Sequence, residues 1–392
     1  MMSELLESRW TETKDALLEG LDGNKKSVMA ATLENTRRYL SESATAGATS
    51  AGNVATLNRV ILPVIRRVMP TVIANELVGV QPMTGPVGQI HTLRVRYADA
   101  FDSTNGTDTT AGEEALSPFK IAEGYSGAAD DKAATTAALE GQAGRKLSIQ
   151  ILKQTVEAKS RKLSARWTFE AAQDAQSMHG IDVEAEIMAA LAQEITAEID
   201  QEVLASLNSL AGNAAETYDQ AAVSGTATFV GDEHAALAVQ INRVANLIAQ
   251  RTRRGAGNYA VVSPFALTIL QSATTSAFAR TTEGTFEAPT NTKMVGTLNN
   301  AMKVYVNTYS ADNADVLVGY KGASESDAPA FYCPYIPLMS SGVVLDPSTF
   351  EPTVSFMTRY GYVELSNTAS SLGNAADYLG KVAITNGNVS FS

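Results

Sequence analysis

Residues 181–210 read IDVEAEIMAALAQEITAEIDQEVLASLNSL, and this stretch decides how the chain is built. Val183, Ile187, Met188, Leu191, Ile195, Ile199, Val203, Leu204 and Leu207 recur every three or four positions, which predicts one unbroken amphipathic helix roughly 40 Å long. Asp182 is placed to cap its start, and Glu184 and Glu186 suit the positive end of the helix dipole. Glu186, Gln193, Glu194, Glu198, Asp200 and Gln201 are expected on an outer face, so the helix packs on one side only. Such a rod is a spine.

C-terminal to the spine, Glu233 to Arg254 forms a second long amphipathic helix through Leu237, Ile241, Val244, Leu247 and Ile248, with Gly255 expected as its left-handed C-cap. Asn258–Val262 reads as a short apolar strand, Pro264 opens a helix to about Gln271, and Met302–Tyr309 and Val316–Tyr320 read as strands. Together they make an α/β unit from about residue 213 to 330. Residues 331–347 (FYCPYIPLMSSGVVLDP) are rich in proline and aromatics, and Pro352–Tyr362 is a strand expected to return to the domain of the spine.

N-terminal to the spine, Leu147–Phe169 has a β pattern with local positive charge from Lys153, Lys159, Arg161, Lys162 and Arg166. Gln89–Tyr97 alternates as a strand, and residues 98–144 between the two have no periodicity, which marks a long excursion of the kind that usually carries function. Leu57–Met69 has helical spacing interrupted by Pro63. Residues 1–42 hold six Lys+Arg and eight Asp+Glu, form a separate charged unit, and include a short helix at Ser27–Leu40 that needs a partner to bury Val28, Met29 and Leu33. Residues 41–53 (SESATAGATSAGN) read as an extended arm.

The 392 residues carry a net charge of −12, which excludes a basic nucleic-acid binder because phosphate recognition needs clustered Lys and Arg. No run of about 20 apolar residues suits a membrane span, and residues 1–20 hold no apolar core of a secretory signal. The single cysteine, Cys333, excludes intrachain disulfides and thiolate-rich metal sites, and reads as a small buried hydrophobe. His91, His179 and His234 stand in separate segments without metal-ligand spacing. Gly255-Ala256-Gly257 follows a helix rather than a strand, unlike a dinucleotide-binding turn. The acid pairs Glu113-Glu114, Asp130-Asp131 and Asp232-Glu233 read as solvated loop charge. No catalytic, cofactor-binding or metal residue emerges, and no cofactor is expected.

Several runs have an unusual composition and a fixed order. They are VIRRVMP (64–70) followed by GVQPMTGPVGQ (79–89); VEAKSRKL (156–163) with AQD (172–174) and HG (179–180); RTRRG (251–255) with GNY (257–259); and VGYKGA (318–323), Tyr332, Pro334-Tyr335 and TRYG (358–361). Collinear over residues 57–361, they closely resemble the major capsid proteins of T-even-type tailed phages. That resemblance implies an α+β, HK97-like fold with an N-terminal arm, an E-loop, a P-domain built on the spine helix, and an A-domain. The divisions expected are a scaffold-like propeptide at 1–42, the arm at 43–56, a lead into the P-domain at 57–97, the E-loop at 98–150, the P-domain with its spine at 151–212, the A-domain at 213–335, and a return to the P-domain with a C-terminal extension at 336–392. Only about 50 residues separate Tyr97 from Leu147, so the large E-loop insertion of the T-even proteins is expected to be absent or minimal.

The resemblance further implies a structural, non-enzymatic role: hexamers closing an icosahedral head around packaged double-stranded DNA that is enclosed without specific binding. Scaffold protein, portal, prohead protease, and vertex and decoration proteins are the implied partners, and the virion capsid, assembled in the host cytoplasm, is the implied location. Proteases of such systems cut after Leu/Ile-x-Glu, and Leu40-Ser41-Glu42 stands at the junction of the charged segment and the arm, although Leu5-Leu6-Glu7 and Leu17-Leu18-Glu19 fit the same short pattern. Lys153, Lys159, Arg161 and Lys162 are candidates to meet Glu113, Glu114, Asp130 or Asp131 of a neighbouring copy, the alternative being a solvated surface. A pentameric vertex protein of the same family, a cellular encapsulin-like nanocompartment shell and a soluble α/β enzyme are the competing readings.

Overall fold

The computed structural model describes residues 10, 14–15, 18, 23, 26–35, 73–100, 110–112, 115, 136–140, 146–179, 182–220, 230–252, 254–273, 278–280, 293–299, 301–311, 314–325, 327–349, 351–365 and 375–385. In chain order the strands are β1 (Gly79–Val80), β2 (Val87–Tyr97), β3 (Leu147–Glu157), β4 (Lys159–Arg166), β5 (Glu216–Asp219), β6 (Tyr259–Val262) and β7 (Phe278–Arg280). They continue as β8 (Lys293–Leu298), β9 (Met302–Val306), β10 (Val316–Gly319), β11 (Ala330–Ser340), β12 (Val344–Leu345), β13 (Pro352–Glu364) and β14 (Leu379–Thr385). The longer helices are α1 (Phe169–His179), α2 (Val183–Leu210), α3 (Val230–Thr252) and α4 (Pro264–Ser272), and residues 26–35 are helical as well.

The chain divides into two compact units, and the first comprises residues 1–88, 156–205 and 331–363. Its sheet runs β1-β11-β13-β12, with β4 also pairing antiparallel to β13 from Lys159↔Tyr360 to Arg166↔Thr353. The expected spine is α2. Met188, Leu191, Ile195, Ile199 and Val203 on it are buried, each such aliphatic side chain contributing about 1.5–3 kcal/mol by leaving water. Asp182 caps the helix by accepting the Glu184 N–H (3.1 Å), as its position predicts.

Asp200 departs from the expected outer face. It is 1% exposed, and its carboxylate accepts the main-chain N–H of Ile73 at 2.8 Å. Ile73 precedes a one-turn helix, Ala74–Leu77, and has no side-chain cap of its own, so the helix on one element supplies the acceptor that the other lacks. A helical wheel drawn from sequence sorts residues by polarity and cannot register a buried backbone donor waiting on a different segment.

β11 was hidden from the sequence reading by Pro334 and Pro337. Its neighbour asks this stretch for acceptors: Tyr332 O takes the Gln81 N–H and Pro334 O takes the Met83 N–H, both at 3.0 Å, so the donor that Pro334 lacks is not the one used there. Helix 26–35 finds its partner within this same unit. Val28, Met29 and Leu33 are buried, and Asn35 Nδ2 donates to Met83 O (2.6 Å) and Tyr335 O (3.2 Å). The helix expected at 57–69, the arm at 43–56 and most of the 98–150 excursion lie outside the described residues.

The second unit comprises residues 89–155, 206–330 and 364–392. A seven-stranded sheet, β5-β14-β10-β6-β9-β8-β7, packs against α3 and α4, with Leu237, Ile241, Val244, Ile248, Ile269 and Leu270 fully buried between helices and strands. β14 runs parallel to β5 and antiparallel to β10. The expected 336–392 segment therefore splits: β13 stays largely with the spine, whereas the C-terminal strand completes this second sheet. No short-range signal in LGKVAIT specifies which sheet it joins. The strand pairs with β5 and β10, and its glycine lets α3 approach closely, since a Cβ on Gly380 would come 2.5 Å from Val244 Cγ1.

Gly255 does not take the left-handed C-cap conformation expected of it. A Cβ there would lie 2.6 Å from the Tyr320 ring, so the glycine is required for close packing, while Gly212, with φ +68°, supplies the left-handed turn just after α2. Glu233, expected in a loop, lies inside α3 and is buried, with Gln220 donating to its carboxylate at 3.4 Å. The β2–β3 pair forms a two-stranded ribbon in which the Ala98 N–H donates to Lys146 O at 2.9 Å.

Candidate functional site

Three sets of side chains stand out, and none is catalytic in geometry. The first is on the ribbon. Side chains alternate along a strand, so Leu147, Ile149 and Ile151 share one face of β3, and they are 58%, 69% and 67% exposed. Lys153, the next residue on that face, is exposed too. A monomer gains nothing from a row of three bare aliphatics.

The second set is α1, which lies beyond the β pattern expected at Leu147–Phe169 and for which the sequence reading gives no element. None of residues 169–178 is buried, and Phe169 and Met178 are 54% and 78% exposed. Thr168 caps it weakly by accepting the Ala171 N–H at 3.4 Å. Its polar composition, with Glu170, Gln173, Asp174, Gln176 and Ser177, leaves no apolar stripe to signal a buried helix.

The third set lies within the first unit, around Arg161. Its guanidinium bonds Glu198 and Glu202 of α2 and sits 5.8 Å over the Tyr360 ring, and the Tyr360 hydroxyl donates to Glu202 as well. Tyr360 in turn packs against Tyr332, ring centroids 5.3 Å apart. Partial burial pulls the Arg161 pKa down, but Tyr360, Glu202 and Glu198 outweigh it and hold the group above its ordinary value. Burial, aided by the bond to Glu202, pushes the Tyr360 phenol up. The cluster rivets β4 and β13 to the spine.

Of the basic residues singled out from sequence, the structure separates Arg161 from its neighbour. Along β4 the inward positions are 161, 163 and 165 and the outward ones 160, 162, 164 and 166, so Arg161 turns to the spine and Lys162 to the outside. Lys153, Lys159 and Lys162 are exposed. Leu40, Ser41, Glu42, Glu113, Glu114, Asp130 and Asp131 lie outside the described residues. Glu202, Tyr360 and the exposed row on β3 escaped the sequence reading. The alternation in LSIQI was the available signal for the last of these, although it says nothing of whether the apolar face is covered.

Groups that could do chemistry are arranged otherwise. Burial pushes the Cys333 thiol up to about 11, which keeps it protonated and unreactive. His234 is buried with Nδ1 2.5 Å from Ser272 Oγ, and desolvation lowers its pKa against the opposing pull of Glu233. Among the described residues no group of three or more His, Cys, Asp or Glu side chains could hold a metal ion, and no helix is long and apolar enough to cross a membrane.

An exposed apolar ribbon and an exposed helix are features of a subunit. The family model described as Major capsid protein Gp23 matches residues 54–384. The major capsid protein of Vibrio phage KVP40 is 30% identical, over 83% of this chain and 80% of its own, and that of Enterobacteria phage T4 is 30% identical over 82% and 78%. Among solved structures, the capsid of Myoviridae phage XM1 aligns at 10% identity and TM-score 0.44, covering 79% of this chain and 89% of that one. The chain belongs to the Gp23 family of phage major capsid proteins. Its α+β architecture, with a long spine helix, a separate α/β unit and a two-stranded excursion, is the HK97-like one that the resemblance implies, and the virion capsid is its place.

Proposed function

We propose that many copies of this chain associate as hexamers and close into the icosahedral head of a tailed phage, as a structural protein without catalytic activity. The first unit serves as the P-domain on its spine, the seven-stranded unit as the A-domain, and the β2–β3 ribbon as the base of the E-loop. Assembly proceeds as a prohead with scaffold protein and portal, and vertex and decoration proteins complete the shell. A prohead protease cuts after Glu42, removing a segment with six basic and eight acidic residues and leaving 350 of the 392. The shell then expands as double-stranded DNA enters, and the acidic chain encloses it without specific binding because like charges keep DNA from adhering to the wall.

The observation that carries this reading is the exposed row Leu147, Ile149 and Ile151. Covering it against another subunit removes about 1.5–3 kcal/mol of apolar exposure per side chain, a gain repeated at every contact of a lattice. Electron microscopy of the purified wild-type chain, assembled with its scaffold, should show closed shells. The Ile149→Lys, Ile151→Lys double variant should remain folded by circular dichroism yet form none. Shells formed equally well by the double variant would remove the argument. Mass spectrometry of the shell protein should find a chain beginning at Ser43, and an intact N-terminus in expanded, DNA-filled heads would overturn the cleavage at Glu42.

A further inference from the structure

His234 sits in the core of the second unit, 2% exposed, where the start of α3 meets the end of α4. Leu237 and Ile241 on one helix and Ile269 and Leu270 on the other fill the same core, so desolvation alone would favour an apolar residue at 234. The hydrogen bonds assign its tautomer. Ser272 Oγ donates to Ile269 O at 3.1 Å, which leaves its lone pairs for the imidazole and puts the ring proton on Nδ1, 2.5 Å away. Nε2 is then a bare acceptor, buried and without a hydrogen-bond partner. A neutral ring tolerates that position with one bond unmade. In a protonated ring both nitrogens are donors, and Nε2–H meets no acceptor in the core.

No neighbouring charge compensates. Neither α4 nor β10 carries an ionisable side chain. Of the other elements packed against α3, β5 brings Glu216, Tyr218 and Asp219, β14 brings Lys381, and the 3-10 turn Ala375–Tyr378 brings Asp377 and Tyr378. Glu216 is taken by Arg243, about 13 Å further along α3 by helical rise, and Tyr218 donates to Glu233 O. Only Glu233 bears on the imidazole, and as the preceding helical residue it leaves α3 in a different direction. Its pull toward the charged form is weaker than the opposing burial, which holds the His234 pKa below 6.5.

We infer that His234 is an acid-sensitive joint between α3 and α4, closed through Ser272 while the ring is neutral and opened when Nε2 takes a proton from solvent. Opening parts the start of α3 from the end of α4 and lets water reach Nε2. The strands beneath keep their ladder bonds, so acid loosens the helical layer of the second unit without unfolding its sheet. The sign follows from the lowered pKa: the contribution of His234 is whole above pH 6.5 and is lost as pH falls through the folded value. The joint lies within one chain and operates whether or not shells form.

Hydrogen exchange of the full-length chain at about pH 7.5 and about pH 5, corrected for the intrinsic pH dependence of exchange, tests the joint. Acid should lower protection across residues 230–238 and 266–272 at least about tenfold, while β6, β9 and the spine lose none. His234→Phe and His234→Gln cannot take the proton, and both should abolish that acid-induced loss. Equal protection at the two pH values, a loss spread evenly over both units, or a loss that persists in the variants would overturn the joint. A second measurement uses the wild-type chain alone. Nitrogen-15 NMR of the three histidines should show one ring that titrates below 6.5 and holds its neutral proton on Nδ1. Three rings all titrating near the ordinary value in the Nε2–H form would overturn it as well.

Discussion

Asp200 on the spine helix holds the main-chain N–H of Ile73 at 2.8 Å, joining residues 127 positions apart. Burial pushes this carboxyl up to about 7 from an ordinary 3.8, with the bond from Ile73 pulling the other way. Its second oxygen has no hydrogen-bond partner in its buried surroundings, which suits a protonated acid better than a carboxylate.

The sign of the pH effect follows. A carboxyl whose folded pKa is raised lets the folded state hold a proton that the unfolded chain has released, so its contribution is fully present below pH 4 and is lost as pH rises to about 7. Asp200→Asn keeps an acceptor for Ile73 and cannot ionise. It should flatten this part of the stability profile and raise stability above pH 7 by on the order of a few kcal/mol in chemical denaturation. Asp200→Ala should instead lower stability by about 1–3 kcal/mol at pH 4, because Ile73 loses its acceptor. A wild-type and an Asn variant with parallel pH profiles from 4 to 8 would show that Asp200 ionises freely.

Asn35 tests the attachment of the N-terminal segment. Its amide bridges two carbonyls, Met83 O just after β1 and Tyr335 O within β11. Asn35→Ala should raise hydrogen exchange across residues 26–35 at least about tenfold, the effect of losing one to two net hydrogen bonds, and leave the core of the seven-stranded sheet unchanged. Equal protection in the variant would mean that Val28, Met29 and Leu33 hold the helix without it.

Arg161 should matter modestly. It is about one-third exposed, and its partners Glu198 and Glu202 are more so, which limits what the ion pairs contribute through solvent screening. Arg161→Met should cost about 1 kcal/mol, with the difference from wild type shrinking as salt is raised to 1 M. A salt-independent loss would point to packing over Tyr360 as the dominant contribution.

Gly319 and Tyr259 form a tight pair. A Cβ on Gly319 would come 2.2 Å from Tyr259 Cζ, so Gly319→Ala must displace a ring in a fully buried strand and should cost at least about 2 kcal/mol. Tyr259→Phe should be nearly neutral or stabilising, because its buried hydroxyl has no partner. Thermal unfolding of both variants checks the pair, and a strongly destabilised Phe variant would reveal a partner for the hydroxyl.

The periodic elements were legible because burial imposes the period. α2, α3, α4, β2 and β13 announce themselves through apolar spacing, and the Asp182 cap follows from local hydrogen-bonding needs that a few residues satisfy. The motifs from VIRRVMP to TRYG carried the family in the same way, as strings whose order survives without knowledge of their contacts. What stayed hidden depends on a second segment: Asp200 turned inward by Ile73, Gly255 fixed by Tyr320, Arg161 facing inward and Lys162 outward through the β4–β13 register, and α1 without a covered side.

The amino-acid sequence alone indicated a long spine helix, an α/β unit after it and a long excursion before it, since a repeat of polarity is a local property that each element must satisfy for itself. Only the tertiary structure decided which sheet receives the C-terminal strand, which carboxylate is buried and which apolar row remains bare. Those outcomes depend on the distance between residues far apart in the chain, and no short stretch carries that information.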